Sequence, residues 1–382
     1  MVLIIVIFYQ SLFTHRGKSF YNKTILAFKP IFDIILVEKP KKEGNMYFFV
    51  NDYNSIAYPE ILEALKSSLD EKNPGYGTDS HSKNARNLIK KALGNENVDI
   101  YFLPGGTGAN IVAAAAGMRQ QDSILSATTG HIEGHEAGSI EATGLKIELI
   151  DTEDGKLTRE SIENFHQKFT TEYMTVPKKV YISNTTEVGT LYKKKELEDI
   201  YAYCKENNLY LFIDGARMAA ALASEKCDYE IKDLTDLCDI FYLGGTKAGL
   251  LFGEALVVVN DDLKKDLNNL IKQKGTMLAK GFISGIMWEK VFEDKKFYLK
   301  GSKKAYQMAK ILAEGITKKG YSLAYPFESN QVFVLLDEEN LEKWQKIAKF
   351  EITGEKQGKK IARLVTTFRT TEEDVRGFLE EI

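Results

Sequence analysis

Cysteine is scarce in this chain of 382 residues. The three that occur, Cys204, Cys227 and Cys238, show no C-x-x-C spacing and no neighbouring histidine cluster, so neither a disulfide framework nor a metal centre is expected. They read as thiols kept reduced in the cytoplasm. An excess of one charge is also lacking. The formal net charge is −3 and no long basic run is interleaved with aromatics, which argues against nucleic acid as a partner. Long apolar runs are missing too: the strongest, 1–13, is shorter than a bilayer span, has no basic residues ahead of it and no small-residue cleavage site. A membrane anchor is the alternative there to an N-terminal extension, 1–45, that is disordered or an artefact of start-site assignment ahead of Met46. Two nucleotide fingerprints are absent as well, since the glycines at 105–108 spell neither G-x-x-x-x-G-K-[ST] nor G-x-G-x-x-G.

What is present is 44% apolar and 27% charged residues, the composition of a soluble globular protein, at a length that fits a large domain, 46–270, and a smaller C-terminal one, 271–382. The stretch 209–249 organises it. It reads L-Y-L-F-I-D-G-A-R and, after a helix-length segment, D-I-F-Y-L-G-G-T-K-A-G. Each half is an apolar run of strand length that leads into a reactive residue, Asp214 or Lys247. In a doubly wound α/β sheet such residues stand at the carboxyl ends of parallel strands and face one crevice. Pyridoxal 5'-phosphate chemistry uses this pair: a lysine holds the cofactor as a Schiff base, and a carboxylate keeps the pyridine nitrogen protonated. Taken singly, Asp214 reads as a helix N-cap and Lys247 as a solvated loop residue. Together, with Arg217 one helical turn beyond Asp214, they read as a site.

These residues resemble the threonine aldolase and β-eliminating lyase group of the fold-type I pyridoxal phosphate enzymes. The D-G-A-R at 214–217, the T-K at Thr246 and Lys247, the F-L-P-G-G-T-G-A-N at 102–110, the G-H at Gly130 and His131 and the R-L-V-T at 363–366 stand in that group's order. The resemblance implies a large, mostly parallel sheet domain with a smaller C-terminal α/β domain. It also implies an amino acid substrate, no metal, and a homodimer or homotetramer with its sites at the subunit interface.

Along the chain, Gly106, Thr107 and Gly108 open an alanine-rich helix at 109–118, where free backbone N–H groups and the helix dipole suit a phosphate. His131 stands just past the strand 122–127, placed to stack on the pyridine and act as a base. Before the helix that starts at Pro59, Asn51, Asp52 and Ser55 are candidates for the substrate carboxylate under the resemblance, and Ser55 is the one assigned. The P-G-Y-G-T-D at 74–79 is a turn; the resemblance implies that Tyr76 reaches a neighbouring subunit's site. Alternation of strands at 147–150 and 180–183 with helices at 159–169 and 194–207 builds the parallel sheet. Between the last two lies N-T-T-E-V-G-T, with Glu187 near the point where the resembling group commonly has a histidine. After Lys247 come a strand at 255–259 flanked by charges and a lysine-rich helix at 263–274. No arginine occurs between Arg217 and Arg363, so Lys274 or Lys280 would stand in for the group's phosphate-binding arginine. Arg363, on a strand at 361–368, suits an α-carboxylate.

The resemblance implies a carbon–carbon lyase cleaving L-threonine or L-allo-threonine to glycine and an aldehyde. Lys247 holds the cofactor, Arg217 contributes to both cofactor and substrate binding, Arg363 joins it on the carboxylate, and His131 or Glu187 takes the hydroxyl proton. Glu187 in place of a histidine leaves β-elimination and racemisation as alternatives on the same scaffold.

Overall fold

The structure is a computed structural model and describes residues 46–294 and 296–382; the expectations for 1–45 lie outside the described residues. A short strand, β1 (Tyr47–Phe48), is followed by seven that build one sheet: β2 (Asp99–Leu103), β3 (Asp122–Ala127), β4 (Lys146–Ile150), β5 (Val176–Ser183), β6 (Tyr210–Asp214), β7 (Ile240–Gly244) and β8 (Glu254–Val258). Their order is β2-β8-β7-β6-β5-β3-β4. From β4 to β7 every neighbouring pair is parallel, and β8 alone runs against both β7 and β2.

The sequence explains why this sheet is sandwiched. Every residue of β3, β7 and β8 is buried, the polar Asp122, Ser123, Ser126 and Glu254 included, as a sheet covered on both faces requires. Period-two alternation divides them between two cores. Phe241, Leu243, Ala255 and Val257 enter one, and Ile240, Tyr242, Leu256 and Val258 the other.

The remaining strands are β9 (Ser322–Leu323), β10 (Gln331–Leu336), β11 (Ala348–Lys349), β12 (Glu351–Lys356) and β13 (Lys359–Val365). Four form an antiparallel sheet in the order β12-β13-β10-β9, while β11 pairs in parallel with β1. Phe49, Leu312, Trp344 and Phe378 lie in its core. The long helix Phe297–Lys318 packs on both the short helix Met218–Ala223 and this second sheet.

The helices expected at 159–169 and 194–207 end earlier, at His166 and Glu206, and two others differ from their expected bounds for a visible reason. The glycine-led helix runs Gly106–Ala115, because Gly117 adopts φ +69 and a Cβ there would stand 2.5 Å from Leu263. The expected helix at 263–274 is broken: a 3₁₀ turn, Asp261–Leu263, precedes the helix Leu267–Gln273, with Asp266 between them at φ +54. Short acidic side chains tolerate that conformation and favour local turns.

Parallel register sets what gathers at one edge. The segments after β3, β5, β6 and β7 all emerge from carboxyl ends, and β2, antiparallel to the same β8, delivers the glycine turn to that edge too.

Candidate active site

Asp214 ends β6, and Lys247 follows the neighbouring parallel strand β7 by three residues. The Asp214 carboxylate is 4% exposed. It accepts from the Tyr181 hydroxyl at 2.8 Å, the Tyr242 hydroxyl at 2.5 Å and the Ala216 amide at 3.0 Å. Burial, and then the Asp214 charge, push both phenols well above their ordinary range, so they remain donors. The Tyr242 hydroxyl lies 3.6 Å from where a Cβ on Gly106 would stand, which brings the carboxylate's surroundings to the glycine turn.

That turn is open. No side chain caps the helix Gly106–Ala115. Its first backbone bond runs from the Ala109 amide to the Gly105 carbonyl at 3.1 Å, so the amides of Gly106, Thr107 and Gly108 precede the ladder. Gly108 admits no side chain, since its Cβ would meet Thr276 Cγ2 at 2.8 Å, whereas nothing lies within 4 Å of a Cβ on Gly105. The other end of the helix is closed by Lys179, whose ammonium donates to the carbonyls of Ala113, Ala114 and Ala116 at 2.6, 3.0 and 2.8 Å.

His131 follows β3 through a tight turn at Gly130, where a Cβ would overlap Ser126 Oγ at 2.2 Å. Its Nδ1 meets buried Glu136 at 2.9 Å, and the same carboxylate oxygen accepts from Asn110 Nδ2 at 2.9 Å. Glu136 thereby ties the imidazole to the glycine-led helix. With Nδ1–H donating there, Nε2 is left for the site. Burial works against protonation of His131, but the Glu136 hydrogen bond and the charges of Glu187, Asp214 and Glu136 prevail and raise its pKa.

Lys247 is half-buried, and its Nζ lies 6.0 Å from the Tyr53 ring centroid. Burial and then the Arg217 guanidinium push the amine below its ordinary range, against the pull of Asp52, Glu187 and Asp214. Arg217, 6% exposed, gives Nε and Nη2 to Asp52 at 2.9 and 3.1 Å. Asp52 also accepts from Asn330 Nδ2 at 3.0 Å. Burial raises the Asp52 carboxyl, yet Arg217, Lys247 and the hydrogen bonds outweigh it and hold the group low. Asp52, Arg217, Lys247, Asn330 and Thr366 line one pocket, while Glu187 lines a second with Tyr181, Ser183 and Thr129. The Glu187 loop is fixed by Thr186 and Thr190, whose hydroxyls meet at 2.7 Å, and by Asn184 Nδ2 on the Tyr229 hydroxyl at 2.5 Å.

Lys247, Asp214, Arg217, Glu187 and His131 thus share one charged neighbourhood, with Gly106 to Gly108 joined to it through Tyr242, Asn110 and Glu136. Ser55, Tyr76 and Arg363 have other partners. The Ser55 hydroxyl donates to Asn54 at 3.0 Å, and of the three polar candidates before Pro59 it is Asp52 that meets Arg217. Tyr76, 54% exposed, lies under the Lys272 ammonium at 4.8 Å. Arg363 pairs with Glu351 on the adjacent strand, and its buried Nε has no partner. Lys280 is exposed and Lys274 half-buried beside the Thr276 that packs on Gly108.

Three of these residues are not singled out by the sequence: Tyr181 and Tyr242 occupy ordinary apolar strand positions, and Glu136 carries only its position five residues after His131. Asp52 is one of three polar candidates before Pro59, and its pairing with Arg217 selects it.

The donor set fits pyridoxal phosphate. An uncapped helix terminus suits the phosphate dianion, a buried carboxylate anchored by two phenols suits a pyridinium, and an amine with depressed proton affinity suits covalent attachment.

Comparison with known proteins gives the family and the fold. The family described as Beta-eliminating lyase matches residues 52–339. A low specificity L-threonine aldolase of Pseudomonas aeruginosa is 33% identical over 297 residues, 77% of this chain and 85% of the relative. The solved threonine aldolase of Leishmania major is 41% identical, covers 87% of this chain and 98% of its own, and superposes with a TM-score of 0.85. An aspartate aminotransferase mutant of Thermus thermophilus, 16% identical over 96% of this chain and 99% of its own, has a TM-score of 0.68, a likeness of fold alone. With the family matched over most of its length, this chain belongs to the β-eliminating lyases.

Proposed function

We propose that this chain is a pyridoxal phosphate-dependent aldehyde-lyase that cleaves β-hydroxy-α-amino acids of the L-threonine and L-allo-threonine type to glycine and an aldehyde. The observation that carries the reading is Asp214 and Lys247 at neighbouring parallel strand ends, over a glycine turn with free amides. The aldolases of Pseudomonas and Leishmania support the choice of reaction. When bound, pyridoxal phosphate supplies an aromatic ring that accepts the electron pair released as the Cα–Cβ bond breaks.

The chain's own groups do the rest. Gly106, Thr107 and Gly108 hold the phosphate with backbone N–H groups. Asp214 holds negative charge at the pyridine nitrogen, and Lys247 provides the attaching amine. Arg217, braced by Asp52, keeps Nη1 for the substrate carboxylate, and Arg363 would join it as the second ligand by leaving Glu351. His131 Nε2 accepts the β-hydroxyl proton, with the Glu187 charge favouring the imidazolium that forms. We read the protein as a cytoplasmic homodimer or homotetramer, with Tyr76 serving a neighbouring site; the exposed Tyr53, whose ring centroid lies 6.0 Å from the Lys247 amine, supports a covering copy.

Incubation with L-threonine and L-allo-threonine is expected to release acetaldehyde and glycine. 2-Oxobutyrate with ammonia in their place would establish elimination and overturn the reading. Because the charges around His131 raise its proton affinity, the acid limb of the kcat/KM profile is expected to lie above the ordinary histidine value of 6.5. Glu136→Gln moves that limb to lower pH, and an unmoved limb would detach His131 from the chemistry.

A further inference from the structure

Beneath the lysine turn lies a carboxyl that none of these steps uses. Glu254 opens β8 opposite Gly244 and is 4% exposed. Its Oε2 accepts from the Gly245 amide at 2.8 Å and its Oε1 from the Thr246 hydroxyl at 2.9 Å, while that hydroxyl accepts from the Gly253 amide at 3.0 Å. One side chain therefore fixes both residues that precede Lys247. The turn has no room for another: a Cβ on Gly245 would stand 2.4 Å from the Gly253 carbonyl oxygen and 2.8 Å from Trp288.

Two neutral contacts would not need an ionisable group, and burying one is costly. The charged and titratable groups that face Glu254 are Lys247, Asp214, Tyr242 and Tyr298. Lys247 is the cation among them. We propose that Glu254 is a positioning residue for Lys247, holding the turn that presents the amine and facing that amine with negative charge. This rests on the function proposed above, in which Lys247 carries the cofactor. Burial lifts the Glu254 carboxyl to about 7, so its charge develops across the neutral range. Once ionised it favours the ammonium form of Lys247, against the burial and the Arg217 charge that depress it.

Glu254→Gln separates charge from contact. The amide oxygen still accepts from Gly245, its NH₂ donates to the Thr246 hydroxyl, and the charge is gone. Full-length wild type and E254Q, stripped of cofactor, are titrated with pyridoxal phosphate at neutral and alkaline pH while the visible band is followed. The expected result is a band whose pH midpoint in E254Q lies about one unit lower. Glu254→Leu, which loses both contacts, takes up the cofactor about tenfold more weakly with its far-UV circular dichroism retained. An E254Q midpoint equal to wild type overturns the inference, and so does undiminished uptake by E254L; if E254L does not fold, E254Q decides alone. A wild type that takes up no cofactor brings down the proposed function itself, whereas a coloured wild type matched by E254Q brings down this inference only.

Discussion

Lys247→Ala is expected to remove the visible cofactor band and to lower threonine turnover by at least about 10³-fold, within the range for loss of one positioned catalytic group. The fold is expected to survive. Among the described residues the Lys247 amine enters no hydrogen bond or ion pair, and the contact it makes is with the Tyr53 ring at 6.0 Å. What it loses by burial is not returned by partners, so its retention is explained by chemistry rather than stability. The thermal midpoint of the cofactor-free variant should therefore stay within roughly 2 °C of wild type. A variant that still colours, or still turns over, would place the attaching amine elsewhere. A variant that unfolds would make Lys247 a structural residue.

The pairing of Asp214 with Lys247 was legible because strand grammar exposes it: an apolar run that leads into one charged residue marks a carboxyl edge, and two such runs in an alternating pattern share that edge. The glycine turn and His131 were legible for the same reason. What stayed hidden depends on which face a side chain takes. Tyr181 and Tyr242 spell apolar strands, and only the burial of Asp214 between their hydroxyls gives those phenols a purpose. Glu254 reads as a charge flanking a strand, and only the antiparallel return of β8 turns it beneath the lysine. Asp52 could not be chosen over Ser55 until Arg217 was seen to be buried. The break at Asp266 was illegible because a lysine-rich period continues across it.

Lys179 shows the same limit and gives the largest expected loss of stability. In the text it is the second lysine of a pair; in the sheet the period of two sends Lys178 to solvent and Lys179 inward, 0% exposed. In its protonated form its three N–H donors match three carbonyls that end the helix Gly106–Ala115 and its charge complements the negative end of the helix dipole, while the neutral amine keeps two of those donors. Lys179→Met fills similar space but leaves those carbonyls buried without a donor. Replacing a whole buried ion pair with apolar groups is often neutral, but here the acceptors belong to the backbone and cannot be removed. The expected cost is about 3–5 kcal/mol, comparable to breaking a buried pair from one side, with a drop in thermal midpoint of roughly 10 °C. The pH dependence has a definite sign. Burial depresses the amine from 10.5 to about 7, so above about 7 the unfolded chain binds the extra proton and the native state gains stability as pH rises towards 10.5. The methionine variant lacks that gain, and the gap between the two proteins should widen over this interval in denaturant titrations. Equal or greater stability of Lys179→Met would mean that desolvating the ammonium outweighs its three hydrogen bonds. The helix that presents Gly106, Thr107 and Gly108 would then hold its place without the lysine at its far end.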